Sequence, residues 1–513
     1  MTDVDLAEDE VDGLGAPPAR PPTGPGAEDG AEDGAEDRGA ARRRRRAWAL
    51  GTAVLAVATV TAVVGQGMVA ARERERLASL AELPGTLDPL DGPPVVLWSG
   101  TGDMLRSLLR TPEGLLLTVA DGTDGTDGTA TVRALDPATG ATAWETVLLS
   151  PAEALAAPDG VQVARLSRAS CVEYVAAEEA LVVCLVDNRA EFVREGARNV
   201  LEPTVTRLLL LDPSNGAVVD DLSDAVGETL ASRTLAVAGD VLLLTEVDGP
   251  TARVRAVARD GTLVWQTAVP YQPSPSWAGA MATPVGDGVA LLLPGEVRIL
   301  DASGATLRTV GLAPDDYVSQ ATDDAVVVRR APGGAALRND GDTVSVATDV
   351  TTVVRADSTV DVTGSYVSLS IDDGSVPDLV LTADPDGLHA WDQAGGARWT
   401  ADAAGSIWHT TALAGRVHVS RGEEIVTLDA TTGEELWRTG GLSRVVAHLT
   451  DGRYLVTLAP SSTPGGQDVV GIDPADGAIV WRTPLDAPVD TISSVFGVFV
   501  ASDMQTARVT VLG

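Results

Sequence analysis

Lysine is absent from this sequence of 513 residues, so all 37 of its basic residues are arginines. Without lysine, the chain cannot build a Walker phosphate-binding loop or form a pyridoxal Schiff base. Acidic residues number 73, which gives a formal net charge of −36. Because an acidic surface repels the phosphates of DNA and RNA, the composition argues against nucleic acid as a partner.

Aromatic residues are also scarce, at 4% of the chain, and only two cysteines and four histidines are present. Five of the ten tryptophans occupy one position of a short repeated motif, which indicates repeated packing contacts and not a stacking platform for bases. No pair of histidines has the spacing of a zinc site, so we predict no metal site and expect the histidines to be scattered over strands and loops. The four are His389, His409, His418 and His448.

The repeated motif is clearest at Leu428–Trp437, with the sequence LDATTGEELW. Its aspartate can accept N–H groups of a tight turn, its glycine can adopt a positive φ angle, and its tryptophan anchors the outgoing strand. The motif therefore predicts a β-hairpin that is buried only when similar hairpins stack on it. Other copies lie at residues 135–144, 211–220, 257–265, 300–308, 391–399 and 472–481. We assign this structural role to Asp136, Gly140, Trp144, Asp212, Gly216, Gly261, Trp265, Asp301, Gly304, Asp392, Trp399, Asp429, Gly433, Trp437, Asp473, Gly477 and Trp481.

The spacing of the copies predicts the fold class. The motif aspartates at positions 136, 212, 260, 301, 392, 429 and 473 are separated by 76, 48, 41, 91, 37 and 44 residues. The short intervals match the length of a four-stranded β-propeller blade. The interval of 91 then holds two blades, with a degenerate motif at Arg338–Val344, and that of 76 holds one enlarged blade or two irregular ones. We predict an all-β propeller of eight blades, or of seven, over residues 95–513, closed by pairing of the last strands with the strand near Val95–Trp98.

Three segments precede the predicted propeller. Residues 1–46 are acidic, end in five arginines, and are expected to form a disordered cytoplasmic tail. Ala47–Ala71 carries no charge over 25 positions, so as a helix of about 37 Å it can cross a membrane. The larger positive charge before this helix predicts a cytoplasmic N-terminus and an extracytoplasmic propeller, whereas a signal peptide cleaved before Arg72 is the alternative. Residues 72–94 are assigned to a stalk and linker.

The two cysteines, Cys171 and Cys184, bracket a stretch that is typical of a hairpin. If the hairpin turns at residues 177–178, the two cysteines lie directly opposite each other, at a Cα separation that suits a disulfide. Outside the cytoplasm such a pair is oxidised, so we predict a disulfide, with two buried thiols as the alternative.

The motif resembles the repeat of pyrroloquinoline quinone (PQQ) enzymes, A-x-D-x-x-T-G-x-x-x-W. Ala134, Asp136, Thr139, Gly140 and Trp144 match this repeat in full. The resemblance covers roughly residues 95–513 and implies a propeller in which each tryptophan docks between neighbouring blades. Similar propellers serve as assembly scaffolds of the outer membrane and as sensor domains.

The resemblance leaves two functions to weigh. PQQ-dependent dehydrogenases hold the quinone and a Ca²⁺ ion with acidic and amide side chains, and the alcohol-oxidising members often carry a vicinal cysteine pair. Here the cysteines are thirteen residues apart and only four asparagines are present. We therefore predict a non-enzymatic binding, scaffolding or sensing module of the cell envelope, with a protein partner and no cofactor. A PQQ- and calcium-dependent dehydrogenase is the alternative.

Overall fold

The computed structural model describes the chain in ranges that begin at residue 75. They are residues 75–83, 85–101, 109–121, 129–155, 162–165, 168–176, 179–194, 197–226, 232–273, 279–313, 315–322, 324–330, 349–402, 407–443, 447–463, 466–485, 488–503, 505–506 and 508–513. The predicted tail, the predicted membrane helix Ala47–Ala71 and the degenerate motif Arg338–Val344 lie outside these ranges. Within them, no helix is both long enough and apolar enough to span a bilayer.

Antiparallel four-stranded sheets follow one another along the described chain, as expected for propeller blades. Blades 1 to 4 consist of β2 (Leu109–Arg110), β3 (Leu116–Asp121), β4 (Ala130–Leu135) and β5 (Thr142–Leu149); β7 (Arg168–Ala176), β8 (Glu179–Asp187), β11 (Thr206–Leu211) and β12 (Val218–Asp221); β13 (Ser232–Ala238), β14 (Val241–Asp248), β15 (Thr251–Ala258) and β16 (Leu263–Pro270); and β17 (Met281–Val285), β18 (Gly288–Leu293), β19 (Glu296–Leu300) and β20 (Thr306–Gly311).

Blades 5 to 8 continue this order. They consist of β21 (Tyr317–Ala321), β22 (Val326–Arg330), β23 (Val350–Val354) and β24 (Thr359–Thr363); β25 (Ser365–Val367), β27 (Val380–Asp384), β28 (Gly387–Trp391) and β29 (Ala397–Ala401); β30 (Ile407–Leu413), β31 (Arg416–Arg421), β32 (Glu424–Asp429) and β33 (Glu435–Gly440); and β34 (Leu449–Thr450), β35 (Leu455–Pro460), β36 (Gln467–Ile472) and β37 (Ile479–Pro484). A further strand, β26 (Leu369–Asp372), leaves blade 6 and pairs in parallel with β30 of blade 7.

Blade 9 combines strands from the beginning and from the end of the propeller sequence. Its first three strands are β38 (Thr491–Val495), β39 (Val498–Asp503) and β40 (Arg508–Leu512), and its fourth strand is β1 (Val96–Thr101). Val96 pairs with Leu512, and Thr101 with Arg508. The ring is therefore closed by the strands that the sequence predicts.

The described residues form nine blades, so the prediction of eight, or of seven, was wrong. The reason lies in blade 9, where the third strand ends near residue 512 and the fourth begins near residue 96. No hairpin turn joins these two strands, so no motif marks the blade. The interval of 91 residues does hold two blades, and the turn between the third and fourth strands of blade 5 lies at residues 355–358.

The interval of 76 residues is one blade with an insertion. A second small sheet is made of β6 (Gln162–Arg165), β9 (Ala190–Arg194) and β10 (Ala197–Leu201), which precede or interrupt blade 2. The buried Asn188 fixes the insertion at its base. Its Oδ1 accepts the backbone N–H groups of Thr204 (2.8 Å) and Val205 (3.1 Å), and its Nδ2 donates to the carbonyl of Glu153 (2.6 Å). A short helix, α2 (Ser223–Val226), follows blade 2, and a 3-10 turn, Pro151–Glu153, precedes it.

The hydrophobic core lies in the seams between blades. The second strand β18 is buried over its whole length, as expected of a strand covered on both faces. The fourth strand β16, at the edge of its blade, alternates between exposed and buried residues. One apolar cluster joins Leu117 and Trp144 of blade 1 to Val182 and Leu209 of blade 2. Each blade thus buries its faces against its neighbours.

The predicted disulfide is present, between Cys171 of β7 and Cys184 of β8. The two residues are register partners in the hairpin, with a Cα separation of 4.1 Å. Both belong to the apolar cluster between blades 1 and 2. The bond therefore ties the first two strands of the enlarged blade together.

Candidate functional site

The motif turns lie at one end of the blades, together with the turns between first and second strands, because the strands alternate in direction. We call this end the turn face. In each motif turn, Oδ1 of the aspartate accepts the N–H of the residue two positions later at 2.7 to 2.9 Å. The aspartates concerned are Asp136, Asp212, Asp260, Asp301, Asp392, Asp429 and Asp473. Their carboxylates hold the turns and are not gathered at one site.

The motif glycines all have positive φ angles between 69° and 81°. They are Gly140, Gly216, Gly261, Gly304, Gly433 and Gly477. At four of them, Gly216, Gly304, Gly433 and Gly477, the indole ring of the preceding blade's motif tryptophan covers the position where a Cβ would stand. Those rings belong to Trp144, Trp265, Trp399 and Trp437.

Three of these tryptophans also form a hydrogen bond across the seam. The Nε1–H groups of Trp144, Trp399 and Trp437 donate to the carbonyl oxygen of the residue that follows the next motif aspartate, at 3.0, 2.8 and 3.1 Å. The anchor therefore carries both a packing and a polar contact. Trp98 of β1 makes the same contacts with blade 1, although no motif precedes it in the sequence.

Trp481 is the exception among the predicted anchors. Blade 9 has no motif turn to receive it, so its ring covers Gly471 of its own blade and meets Tyr454 at a ring distance of 5.9 Å. At the end of blade 4, Arg308 stands where other blades have tryptophan. Its guanidinium donates to the carbonyl of Asp357 (2.7 Å) in the turn of blade 5, so an arginine replaces the indole contact.

A pocket of about 600 Å³ opens on the turn face beside residues 75–95. These residues, which the sequence assigns mainly to the stalk, begin with a helix, α1 (residues 75–81). Leu77 and Leu80 are buried against Gly452, in the first turn of blade 8. The pocket lies where this segment meets Arg110 of blade 1 and residues 494–497 of blade 9.

The aromatic residue of this pocket is Phe496, which is 51% exposed. Its φ angle of 48° is a left-handed conformation that a bulky residue rarely adopts. The turn is held by Arg110, whose Nη1 donates to the carbonyl of Phe496 and to the carboxylate of Asp88, both at 2.9 Å. The backbone of Phe496 is strained and its ring is half exposed. The pocket beside this ring is large enough to receive an apolar side chain of another protein.

The structure brings three histidines together that we expected to be scattered. His409 of β30 and His418 of β31 belong to blade 7, and His448 directly precedes β34 of blade 8. Ring centroids are 4.7 Å apart for His409 and His448, and 6.5 Å apart for His418 and His448. The fourth, His389, lies apart in blade 6, where its Nε2 is 2.8 Å from the carboxylate of Asp384.

Burial keeps the three clustered rings neutral. It lowers the pKa of His409 to about 4 and that of His418 to about 3. Burial also lowers the pKa of His448 well below its ordinary value, and the neighbouring His409 and His418 lower it further. In the described ranges, no three metal-ligating side chains are placed so that they can hold an ion.

Part of this cluster was predictable. His409 and His418 flank a two-residue turn, and Ser420 pairs with His409, so both imidazoles lie on one face of the hairpin. This hairpin register could have been predicted from the sequence, and it would have placed His409 and His418 on the same face of the hairpin. His448 lies in the next blade, and the register within a hairpin does not tell which residues face each other across a seam.

The propeller is similar to several solved structures. Among solved structures, BamB from Moraxella catarrhalis is similar over 82% of this chain and 99% of its own, with 15% identity and a TM-score of 0.39. Sqt1 from Saccharomyces cerevisiae (11% identity, 78% and 100% coverage, TM-score 0.35) and the dihydro-heme d1 dehydrogenase NirN (15%, 78% and 80%, 0.35) are also similar.

No curated protein matches the chain significantly. A family model does match: residues 295–509, from blade 4 to blade 9, fit the family described as outer membrane protein assembly factor BamB. This stretch contains the motif turns of Asp301, Asp392, Asp429 and Asp473. Together with the repeated motif, the match supports a PQQ-like β-propeller for these blades.

Proposed function

We propose that this chain is a single-pass membrane protein whose propeller lies outside the cytoplasm and binds another protein at the cell envelope, as a scaffold or a sensing module. The observation that carries the proposal is the match of residues 295–509 to a family described as an outer membrane assembly factor. A factor that assembles outer membrane proteins acts on other proteins, so the match supports a protein as the binding partner of this chain.

The sequence supports the anchor. The 25 uncharged residues Ala47–Ala71 are long enough for one crossing, and the five arginines before them favour a cytoplasmic N-terminus. A disulfide between Cys171 and Cys184 is also typical of a protein outside the reducing cytoplasm.

The pocket on the turn face supports a protein partner. Phe496 offers an exposed aromatic ring, and the pocket beside it has the volume of a small-ligand or side-chain site. The left-handed backbone conformation of Phe496 costs about 1 kcal/mol of folding free energy, and glycine or asparagine at this position would reduce that cost. A role in binding accounts for the presence of phenylalanine at this position.

The function is tested with the full-length chain in intact membranes. After chemical crosslinking and purification, a binding module is expected to retain the same protein neighbour in repeated experiments. In parallel, the purified chain is given PQQ, Ca²⁺, an alcohol or sugar, and an electron-accepting dye. Dye reduction together with a PQQ-dependent thermal shift, and no retained neighbour, would overturn the proposal in favour of the dehydrogenase.

The anchor is tested separately by fractionation. Full-length protein is expected in the membrane fraction, with the propeller accessible to protease added from outside. A soluble product that begins near Arg72 would show that the apolar segment is a cleaved signal peptide and would overturn the anchored form.

A further inference from the structure

The three clustered histidines occupy the seam between blades 7 and 8. The seams between blades 1 and 2 and between blades 4 and 5 are instead packed mainly with aliphatic side chains. The side chains of His418 and His448 are fully buried. Trp437, the anchor of blade 7, closes one side of the cluster, with its ring centroid 5.8 Å from that of His418. A charge that arises inside this seam would therefore be shielded from water.

The polar contacts of the three rings suit the neutral form. The Nδ1 atoms of His418 and His448 bond to the hydroxyl groups of Thr427 (2.7 Å) and Ser420 (2.6 Å). The other ring nitrogens, Nε2 of His418 and of His448, are buried without a partner, as is Nδ1 of His409. A bare nitrogen lone pair can stay unpaired at modest cost, but protonation would turn it into a buried, unpaired and charged N–H group.

The charged groups near the cluster give little compensation. Arg416 lowers the pKa of His418, and Asp373, from the connection between β26 and β27, raises it by a smaller amount. The other described elements around the cluster contribute the uncharged Thr427 of β32, Trp437 of β33 and Thr457 of β35. A proton on any of the three rings thus meets two further imidazoles, and at His418 the favourable effect of Asp373 is smaller than the opposing effect of Arg416.

The seam is linked directly to the segment that crosses the turn face. Strand β34 begins at Leu449, next to His448, and the carbonyl of Thr450 accepts the N–H of Leu87 at 2.8 Å. One residue further on, the carboxylate of Asp451 accepts the N–H of Leu90 at 3.0 Å. A shift of the chain at His448 would therefore break the contacts that hold residues 87–90 on blade 8.

We propose that His409, His418 and His448 form an acid-sensitive latch that holds blades 7 and 8 together at neutral pH and releases them, with residues 87–90, in mild acid. The first proton to enter opens the seam, since an imidazolium is stable only when hydrated. Opening hydrates the other two rings, which then also protonate. The release is therefore cooperative, and it loosens the turn face that carries the pocket.

Hydrogen–deuterium exchange of the full-length chain in detergent tests the latch. Rates are compared near pH 7.5 and near pH 5, after correction for the intrinsic effect of pH on exchange. We expect peptides covering residues 447–451 and 85–90 to exchange about tenfold faster at the lower pH, which corresponds to about 1.4 kcal/mol of local opening. Residues 263–270, beside a seam without histidine, serve as the internal control and should not change.

Variants separate the latch from general acid instability. A chain in which the three residues are changed together to glutamine, which stays uncharged, should lose the acid response, whereas His389→Gln should keep it. If the triple variant does not fold, His409→Gln is made alone, because the buried Nδ1 of His409 has no hydrogen-bond partner and its replacement breaks no such bond. This single variant should reduce the acid response. Equal corrected rates at the two pH values in the wild-type chain, or an unchanged response in the folded glutamine variants, would overturn the proposal.

Discussion

The indole N–H of Trp98 donates a hydrogen bond to the carbonyl oxygen of Pro137, 2.9 Å away, across the seam between blades 9 and 1. Its ring also covers Gly140, as the motif tryptophans cover the glycines of their next blades. The strand that carries Trp98 precedes blade 1 in the sequence but completes blade 9 in space. The ring is thus closed by the same contact that joins its other blades.

Loss of the Trp98 ring should destabilise the propeller. Since the ring is half-buried, we expect Trp98→Ala to lower the free energy of unfolding by about 2 to 3 kcal/mol, somewhat less than for a fully buried tryptophan. Trp98→Phe, which keeps most of the apolar contact and loses the hydrogen bond, should cost about 1 kcal/mol. Urea unfolding followed by circular dichroism measures both. Leu436→Ala, at an exposed edge position, is the control, and a cost for Trp98→Ala no larger than this control would contradict the closure role.

A methyl group at Gly216 should interfere with blade docking. Its φ angle is 72°, and a Cβ there would overlap the Trp144 ring. Gly239 has a similar φ of 58°, but no atom lies near the position of its Cβ. Both alanine variants carry the backbone strain of about 1 kcal/mol, so their difference measures the clash alone. We expect Gly216→Ala to be less stable than Gly239→Ala by about 1 to 3 kcal/mol in thermal or urea unfolding, and equal stabilities would refute the docking account.

The hairpin motif predicts much of this fold, because its turn chemistry is local. Asp429 and Gly433 determine a turn within five residues, and the spacing of such turns indicates four-stranded blades. The pairing that closes the ring was also predicted, but a count of motifs misses the ninth blade, because its third and fourth strands are separated by most of the chain and no motif turn joins them. Nor does the sequence indicate that His448 lies beside His409, because that contact depends on which faces of two blades meet. Local patterns therefore predict the blades, whereas the contacts across seams require the structure.

Removal of the disulfide should destabilise the first blades. Cys171 and Cys184 close a loop with a separation of 13 residues, for which an entropy model gives about 3 kcal/mol. The double variant Cys171→Ala and Cys184→Ala is expected to unfold at a correspondingly lower urea concentration. The reducing agent dithiothreitol should lower the midpoint of the wild-type chain and leave that of the double variant unchanged. A thiol count of two in the unreduced, denatured protein would contradict the bridge.

Stability should fall between pH 7 and pH 5 because of the buried histidines. Unfolded histidine binds a proton near pH 6.5, whereas burial in the closed seam lowers the pKa of His409 to about 4 and that of His418 to about 3. The unfolded state therefore takes up more protons in this window, which costs the folded state about 1 to 2 kcal/mol per histidine at pH 5. Urea unfolding of the wild-type chain and of His409→Gln at both pH values measures this cost. A pH dependence as steep in the variant as in the wild type would contradict it.

The motif aspartates should act in a different range of pH. Hydrogen bonds from the residues two positions later lower the pKa of Asp212, Asp260, Asp301 and Asp429. Their contribution to stability is present above the ordinary pKa of aspartate and is lost as the pH falls through the lowered values. The motif aspartates therefore stay ionised between pH 7 and pH 5, and the change in stability in this range is due to the histidines.

The replacement Phe496→Asn separates binding from folding. Asparagine adopts a left-handed conformation at lower cost than phenylalanine, so the variant should be as stable as the wild type or about 0.5 to 1 kcal/mol more stable. Loss of the exposed ring should nevertheless reduce the amount of protein neighbour recovered by crosslinking. Leu307→Asn, at a residue of similar exposure on the edge of blade 4, is the matched control and should retain the neighbour. If Phe496→Asn is folded and recovers as much neighbour as the control, the ring of Phe496 does not contribute to binding. The partner then binds elsewhere on the propeller.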